Sequence, residues 1–309
     1  MNLENKTKLI GHNDVLKDLL NLFNLNKLPN TILLSGKKGI GKSIIAFHFI
    51  NYIFSKDENN KYDMENNIIN LSNKSFKLVN NNTHPNFYKI DIKDEKKTIE
   101  VNQIREMINF SNKSSFNNAE KIILIDNVEN LNKNSANALL KILEEPKNKT
   151  FFILIHDSQK SIIDTIKSRC IEFKIKLDPK HLSPIIDNYF NDDCFNYISD
   201  DFISNYATPS FYISFIEFCS SNNLDFKNIK IEEFLSIITS QPFNKSKKIS
   251  NNEIKNFIEL YFYKKLYLNK NKKVYDLISY FNKKFSDLES FNLDLESYFI
   301  EFRHKLLNE

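Results

Sequence analysis

One short segment sets the architecture of the first half of the chain: Gly36-Lys37-Lys38-Gly39-Ile40-Gly41-Lys42-Ser43. The pattern G-x-x-x-x-G-K-S is typical of a loop whose backbone N–H groups surround phosphates. Its context fits, because residues 31–35 predict a strand and residues 42–54 predict a helix. We therefore expect the Lys42 ammonium on the β- and γ-phosphates of a nucleotide and the Ser43 hydroxyl on Mg²⁺. The alternative is a loop that keeps this shape and binds nothing.

On both sides of this loop, short apolar runs alternate with helical patterns as far as about residue 175. Four runs are near-continuous: residues 32–34, 87–90, 122–125 and 151–155. Runs of this kind are typical of strands buried on both faces, so they predict a parallel α/β sheet with flanking helices. Residues 56–83 are polar and mostly aperiodic, which indicates a surface insertion with at most one weak helix.

The strand signal ends near residue 178, and helical patterns follow. Short helices are predicted at residues 182–190, 201–206 and 209–218. Two later stripes have helical spacing: Ile254, Phe257, Ile258, Tyr261 and Phe262, then Leu295, Tyr298, Phe299, Phe302 and Leu306. Each stripe indicates the interior of a helical bundle or, alternatively, a subunit interface.

Composition narrows the class of protein. Hydrophobic residues make up 41% of the chain and charged residues 27%, as in a globular protein. The net charge of +4 permits contact with nucleic acid but does not by itself indicate it. The three cysteines include no C-x-x-C pair, which excludes a disulfide scaffold and a Cys-rich zinc site. Without a signal-peptide core or a run of about 18 apolar residues, we expect a cytoplasmic protein with no membrane contact.

A carboxylate follows the predicted strand 122–125 at Asp126. In phosphate-loop folds this side chain helps to hold Mg²⁺. Hydrolysis also requires a residue that orients or deprotonates the attacking water, and the next residue, Asn127, cannot accept a proton. The sequence therefore predicts a chain that binds nucleotide without hydrolysing it efficiently. The alternative is an active ATPase in which Glu129 or His156 completes the site.

Further motifs carry a family resemblance: Asn137-Ala138-Leu139-Leu140-Lys141-Ile142-Leu143-Glu144-Glu145-Pro146, Ser168-Arg169-Cys170 and, upstream of the loop, Ile10-Gly11-His12. Together with the phosphate loop, they resemble the bacterial clamp-loader subunits of DNA polymerase III, the gamma/tau/delta-prime group of the AAA+ superfamily. The resemblance is strong over residues 8–175. Beyond them, only the helical layout and Asn292-Leu293-Asp294 are similar to the family.

The resemblance implies three domains: a P-loop nucleotide-binding domain over residues 1–176, a helical lid over 177–223 and an all-α collar for oligomerisation over 224–309. It implies ATP or ADP with Mg²⁺ as ligands, and Ser43 and Asp126 as metal ligands. The nucleotide-binding residues it implies are Gly36, Gly39, Ile40, Gly41, Lys42, Ser43, Asp126, Ile10 and Gly11. The implied partners are gamma/tau and delta subunits, the sliding clamp and primer–template DNA.

Two kinds of residue that relatives have and this sequence lacks bear on the choice of subunit, and the first favours a delta-prime-like subunit over a gamma/tau motor. Hydrolysing relatives have a second-domain arginine that senses the γ-phosphate, and residues 207–212 contain none. Many relatives bind zinc through cysteines in the insertion, and residues 56–83 contain none, so we expect no zinc. Two alternatives remain, an active motor subunit and a structural ring subunit that binds no nucleotide.

The resemblance also gives Arg169 a role in trans, as an arginine finger on the ATP of a neighbouring subunit. An internal ion pair is the alternative. Helix packing does not require the charges at Lys141, Glu144 and Glu145, which lie beside the apolar face of the same motif. Arg105 and Lys113 are candidates for DNA contact or, alternatively, solvated charges.

Overall fold

The computed structural model describes residues 7–93, 96–147, 149–204, 206–240, 249–268, 272–291 and 295–307 of the 309-residue chain. The chain forms two compact units, Met1–Asn188 and Tyr189–Glu309. The first contains a parallel sheet between two layers of helices, and the second is helical. No helix among these described ranges is long and apolar enough to cross a membrane.

The sheet of the first unit has five parallel strands in the order β2-β3-β4-β1-β5. The strands are β1 (Thr31–Gly36), β2 (Phe87–Ile90), β3 (Lys121–Ile125), β4 (Thr150–Asp157) and β5 (Ile171–Lys174). Every residue of β1 and β3 is buried, as the continuous apolar runs predict. The predicted parallel α/β sheet is therefore confirmed.

Helices cover both faces of this sheet. They are α1 (Asn13–Asn24), α2 (Lys42–Phe54), α3 (Lys74–Asn80), α4 (Val101–Asn112), α5 (Lys133–Glu144) and α6 (Asp164–Lys167), and a further helix, α7 (Leu182–Phe190), follows β5 in the chain. Buried side chains of α1 and α2 pack on one face of the sheet, and those of α4 and α5 pack on the other. Strands β1 to β4 therefore contribute side chains to both apolar layers.

The insertion at residues 56–83 contains one α-helix, α3, as predicted. It is more closely packed than its polar sequence indicates, because Tyr62, Ile69, Phe76 and Val79 are buried in the core against α2. Polar contacts also fix it: Nδ2 of Asn51 donates to Oδ1 of Asn73 over 3.1 Å. The predicted surface position is therefore wrong for these four apolar side chains.

The second unit contains α8 (Pro209–Ser221), α9 (Ile231–Thr239), α10 (Asn251–Leu268), α11 (Lys272–Phe291), α12 (Leu295–Phe302) and a final π-helical turn, Arg303–Leu307. Its core is aromatic, with Phe202 stacked on Phe215 at 4.0 Å and Phe234 against Phe257 at 4.8 Å. Both predicted stripes lie mainly inside this bundle, since Phe257 and Phe302 are fully buried. The three-domain division remains a prediction, and residues 292–294 lie outside the described residues.

Candidate functional site

The phosphate loop joins the end of β1 to the start of α2 at the carboxyl edge of the sheet. Gly39 and Gly41 have φ values of 82° and 100°, a region that glycine occupies without strain. A Cβ on Gly36 would lie 2.5 Å from the carbonyl oxygen of Ile175, so only glycine fits there. Gly39 and Gly41 therefore supply the turns of the loop, and Gly36 allows the loop to pack against the residue that follows β5.

Lys42 lies inside this loop, with 6% of its surface exposed. Its Nζ donates to the carbonyl oxygens of Gly36 at 2.7 Å and Lys37 at 2.6 Å. Burial lowers the pKa of the Lys42 ammonium, and the carboxylates of Asp157, Asp126 and Glu129 oppose that shift. The ammonium therefore lies in the loop with acidic side chains from two neighbouring strand ends nearby.

Asp126 follows β3 directly and accepts a hydrogen bond at Oδ1 from the backbone N–H of Asn127, 2.9 Å away. Burial raises the pKa of Asp126, as does the carboxylate of Asp91, whereas Lys89 and Lys42 lower it. Asp126 thus lies between the end of β2 and the phosphate loop. That position suits a carboxylate that shares a cation with bound phosphates.

Asn127 has a left-handed backbone, with φ 56° and ψ 46°. Its Nδ2 donates to Oδ1 of Asp91 over 2.9 Å. The side-chain amide of Asn127 is therefore bonded to the residue that follows the neighbouring strand β2. Asparagine is among the few residues with a side chain that adopt this backbone readily.

Glu129 lies closer to the loop than its sequence position suggested. Its Oε2 accepts a hydrogen bond of 3.2 Å from the backbone N–H of Asp157 at the end of β4. Asp157, which is 7% exposed, has the largest electrostatic effect on Lys42 among the acidic groups. The resemblance offers His156 and Asp157, at the end of the strand predicted at residues 151–155, as candidates for a polar sensor. Pairing of β4 with β1 brings Asp157 of the two near Lys42.

Both ring nitrogens of His156 are bonded. Nε2 lies 3.0 Å from the carbonyl oxygen of Lys160, and Nδ1 lies 3.1 Å from Oγ of Ser35. A carbonyl only accepts, so Nε2 carries the proton and Nδ1 accepts from Ser35. His156 therefore links β4 to β1, and both of its ring nitrogens have partners within the protein.

The upstream segment 10–12 contacts the phosphate loop. Gly11 has φ 82°, and a Cβ there would lie 2.8 Å from Cδ1 of Leu177. Nε2 of His12 donates to the carbonyl oxygen of Ile40 over 2.6 Å, a contact that sequence analysis missed. Burial lowers the pKa of the His12 imidazole. Ile10 and Gly11 are therefore brought to the same edge of the sheet as the loop.

Arg169 lies near the amino ends of the parallel strands, whereas the phosphate loop lies at their carboxyl ends. Arg169 precedes β5, whose first residue, Ile171, pairs with Ile32 near the start of β1. Its Nη1 donates to the carbonyl oxygen of Thr165 over 2.8 Å, and its Nη2 donates to the carboxylate of Glu144. The internal ion pair that the sequence left open is therefore present, between side chains that are 32% and 51% exposed.

Cys170, beside Arg169, is a structural residue. Burial raises the pKa of its thiol to about 12, and Sγ contacts the carbonyl oxygen of Ile166 at 3.1 Å. A thiol with so high a pKa is a poor nucleophile at neutral pH.

The family model described as "DNA polymerase III, delta subunit" matches residues 11–179. Among curated proteins, the DNA polymerase III subunit gamma of Buchnera aphidicola (Schizaphis graminum) is 32% identical over 238 residues, 72% of this chain and 61% of the relative. The subunit delta' of Pseudomonas aeruginosa is 35% identical over 99 residues, 32% of this chain and 30% of the relative. The subunit delta' of Buchnera aphidicola (Baizongia pistaciae) is 32% identical over 153 residues, which cover 48% of this chain and 44% of the relative.

These matches therefore span 30% to 61% of the relatives' lengths. Among solved structures, a gamma-subunit-related protein of DNA polymerase III from Thermotoga maritima has a TM-score of 0.51 at 15% identity. The similarity covers 93% of this chain and 99% of that one, and at this identity it shows the fold alone.

Proposed function

The chain belongs to the DNA polymerase III clamp-loader family of AAA+ proteins, and on that premise we propose that it is a delta-prime-like subunit. In this role it binds ATP or ADP with Mg²⁺, hydrolyses it slowly, and supplies Arg169 to the ATP of a neighbouring subunit. The partners are gamma/tau and delta subunits, and the assembly loads a sliding clamp at primed DNA.

The position of Arg169 in the sheet supports its proposed role in trans. The phosphate loop follows the last residue of β1, whereas Arg169 precedes the strand residue that pairs with Ile32. At about 3.3 Å per residue, the length of β1 separates the two by about 13 Å along the sheet. This separation supports action of Arg169 on a nucleotide bound by another subunit rather than on one bound by its own loop.

The nucleotide site supports binding. The loop glycines permit close approach of phosphate, and Lys42 supplies the cation that phosphates require. Ser43 in the first turn of α2 and Asp126 after β3 are the residues that would hold Mg²⁺, which neutralises charge on the β- and γ-phosphates when bound. Ile10 and Gly11 lie beside the loop through the contact of His12 with Ile40.

Slow hydrolysis follows from two features. Asn127 cannot act as a base, and its amide is bonded to Asp91. The second-domain arginine that hydrolysing relatives use is missing from residues 207–212. Each missing contact to a developing charge costs on the order of 3 kcal/mol of transition-state stabilisation.

A second candidate is an active motor subunit, and Glu129 favours it. The Glu129 carboxylate affects the Lys42 ammonium electrostatically, and a gamma-named relative matches 72% of the chain. ATP turnover by the purified chain separates the two functions. Turnover that falls at least tenfold in Glu129→Gln would support the motor, whereas slow turnover that this change does not alter supports the delta-prime-like subunit.

The test of the proposed function is ATP hydrolysis by a loader reconstituted with gamma/tau and delta subunits. We expect Arg169→Ala to lower the rate at the neighbouring site by a factor on the order of 10³. Arg169→Lys should recover little, since it retains the charge but not the two-pronged geometry. An unchanged rate with Arg169→Ala would exclude the role in trans.

A further inference from the structure

The charged residues of α5 have no role in packing the helix. Its buried face consists of Ser135, Ala136, Leu139 and Leu143, which pack toward the sheet. Glu144 is the last residue of α5 and Glu145 follows it, and both side chains are exposed. Packing of the helix therefore does not require a carboxylate at this end of it.

Glu144 links two motifs of the sequence, residues 137–146 and residues 168–170. Its carboxylate accepts from Nη2 of Arg169, while the carbonyl oxygen of Thr165 in α6 accepts from Nη1 over 2.8 Å. The guanidinium is thus held at both terminal nitrogens by two different helices. A flexible arginine side chain that is held in this way has few orientations left.

We propose that Glu144 is a positioning residue that orients the Arg169 guanidinium for the γ-phosphate of a neighbouring subunit. A guanidinium has five N–H donors, so the bonds to Glu144 and Thr165 leave three for an incoming phosphate. Restricting the side chain beforehand lowers the entropy lost on contact. This inference rests on the proposed function of Arg169.

The exposure of the pair argues against a main role in folding. The Arg169 side chain is 32% exposed and that of Glu144 is 51% exposed. Exposed ion pairs contribute little to stability, because water and salt screen them. Orientation of the guanidinium matters only when it contacts the γ-phosphate. Loss of the ion pair should therefore lower the rate of hydrolysis without lowering the stability of the fold.

A carboxylate at this position also has an electrostatic effect of the opposite sign. A carboxylate beside the guanidinium neutralises its charge and could compete with the phosphate. Removal of Glu144 would then release Arg169 and accelerate hydrolysis. The two effects have opposite signs in one measurement.

The experiment measures ATP hydrolysis by a loader reconstituted with this chain as Glu144→Gln or Glu144→Ala. We expect kcat to fall about 3- to 10-fold with KM for ATP unchanged, because orientation affects the rate and the phosphate loop lies elsewhere. The matched control is Glu145→Gln, which removes an adjacent exposed carboxylate that has no described contact with Arg169 and should leave kcat unchanged. Thermal unfolding should be the same for all three variants.

A double-mutant cycle tests whether Glu144 affects the rate of hydrolysis through Arg169. If Glu144 acts through Arg169, Glu144→Gln should cause no further loss in an Arg169→Ala background. An unchanged or increased kcat with Glu144→Gln, or an equal loss in the Arg169→Ala background, would overturn the inference. If Arg169→Ala alone leaves the rate unchanged, the proposed function fails as well, so the two failures are distinguishable.

Discussion

The side-chain amide of Asn127 donates to Oδ1 of Asp91 across 2.9 Å, and the backbone of Asn127 is left-handed at φ 56°. From the sequence, we interpret Asn127 as lacking the base that hydrolysis requires. In the structure it fits a backbone that most side chains adopt at a cost. The backbone conformation is therefore a second reason for an asparagine at this position.

We predict that Asn127→Glu does not create an efficient ATPase. A glutamate at φ 56° adds strain of about 1–2 kcal/mol and loses the bond to Asp91. The free energy of unfolding, measured with denaturant, should therefore fall while ATP turnover stays low. Asn127→Gly is the matched control, since it tolerates the backbone and loses only the hydrogen bond. Brisk turnover by Asn127→Glu at wild-type stability would contradict this account.

Asn127 illustrates a wider pattern. The whole chain has only four glycines, and among its described residues nine non-glycine residues have positive φ. Eight of the nine are asparagines, and the ninth is Lys149 at φ 58°. Asparagine therefore takes positions where glycine is the usual choice. A high asparagine content that seems uninformative in the sequence has a structural use at these turns.

Lys149→Asn should stabilise the protein. A lysine at φ 58° is strained, and asparagine relieves part of that strain, for a gain of about 0.5–1 kcal/mol in the free energy of unfolding. The control is Lys147→Asn, which removes an exposed lysine that donates to the carbonyl oxygen of Asn112, much as Lys149 donates to that of Asn118. Lys147 lacks the positive φ, so its replacement should not stabilise. Equal effects of the two changes would show that strain is not the cause.

The sheet was predictable because its central strands are buried on both faces. β1 and β3 consist of buried residues throughout, so local sequence alone indicates them. The edge strand β5 has no fully buried residue, and no continuous apolar run indicates it. Local sequence is therefore most informative where burial is continuous. At the two edges of the sheet it indicated β2, which has two buried residues, and did not indicate β5.

The residues around Lys42 were harder to predict, because they come together only through tertiary structure. The motif pattern found Asp126, whereas Glu129 and Asp157 approach Lys42 through the meeting of two strand ends. The apolar residues of the insertion show the same limit. Tyr62, Ile69 and Phe76 recur every seven residues and Val79 follows three residues later, yet only Phe76 and Val79 share a helix, and all four enter one core.

Stability should depend on pH through His84. Its ring stacks on Phe54 at 4.0 Å, and burial lowers its pKa from 6.5 to about 4, partly opposed by Glu58. Between these pH values the unfolded chain binds more protons at this site than the folded one. The contribution of neutral His84 to the free energy of unfolding is therefore fully present above pH 6.5 and is lost as the pH falls toward 4.

His84→Phe should reduce the slope of unfolding free energy against pH in that window while keeping an aromatic contact with Phe54. The measurement is denaturant unfolding at several pH values between 4 and 7. His304→Gln, a change at an exposed imidazole, is the control and should preserve the wild-type slope. A slope that His84→Phe leaves intact would assign the pH dependence to other groups.

Lys42→Ala should weaken ATP binding about 10- to 100-fold, since charge-assisted hydrogen bonds contribute about 1.5–3 kcal/mol. The fold should survive, because the carbonyl oxygen of Gly36 still accepts from the backbone N–H of Ser158 at 3.0 Å. Lys38→Ala is the matched control. It removes an exposed lysine from the same loop and should alter affinity by about twofold at most.

Equilibrium titration with a labelled ATP analogue in Mg²⁺ measures the effect. Equal affinity of both variants for the analogue would place the nucleotide away from this loop. Absence of saturable binding by the wild-type chain at millimolar ATP would instead indicate a structural ring subunit. Tight binding that depends on Lys42, with little hydrolysis, is what a subunit requires if its nucleotide stabilises the ring and its arginine acts on the next site.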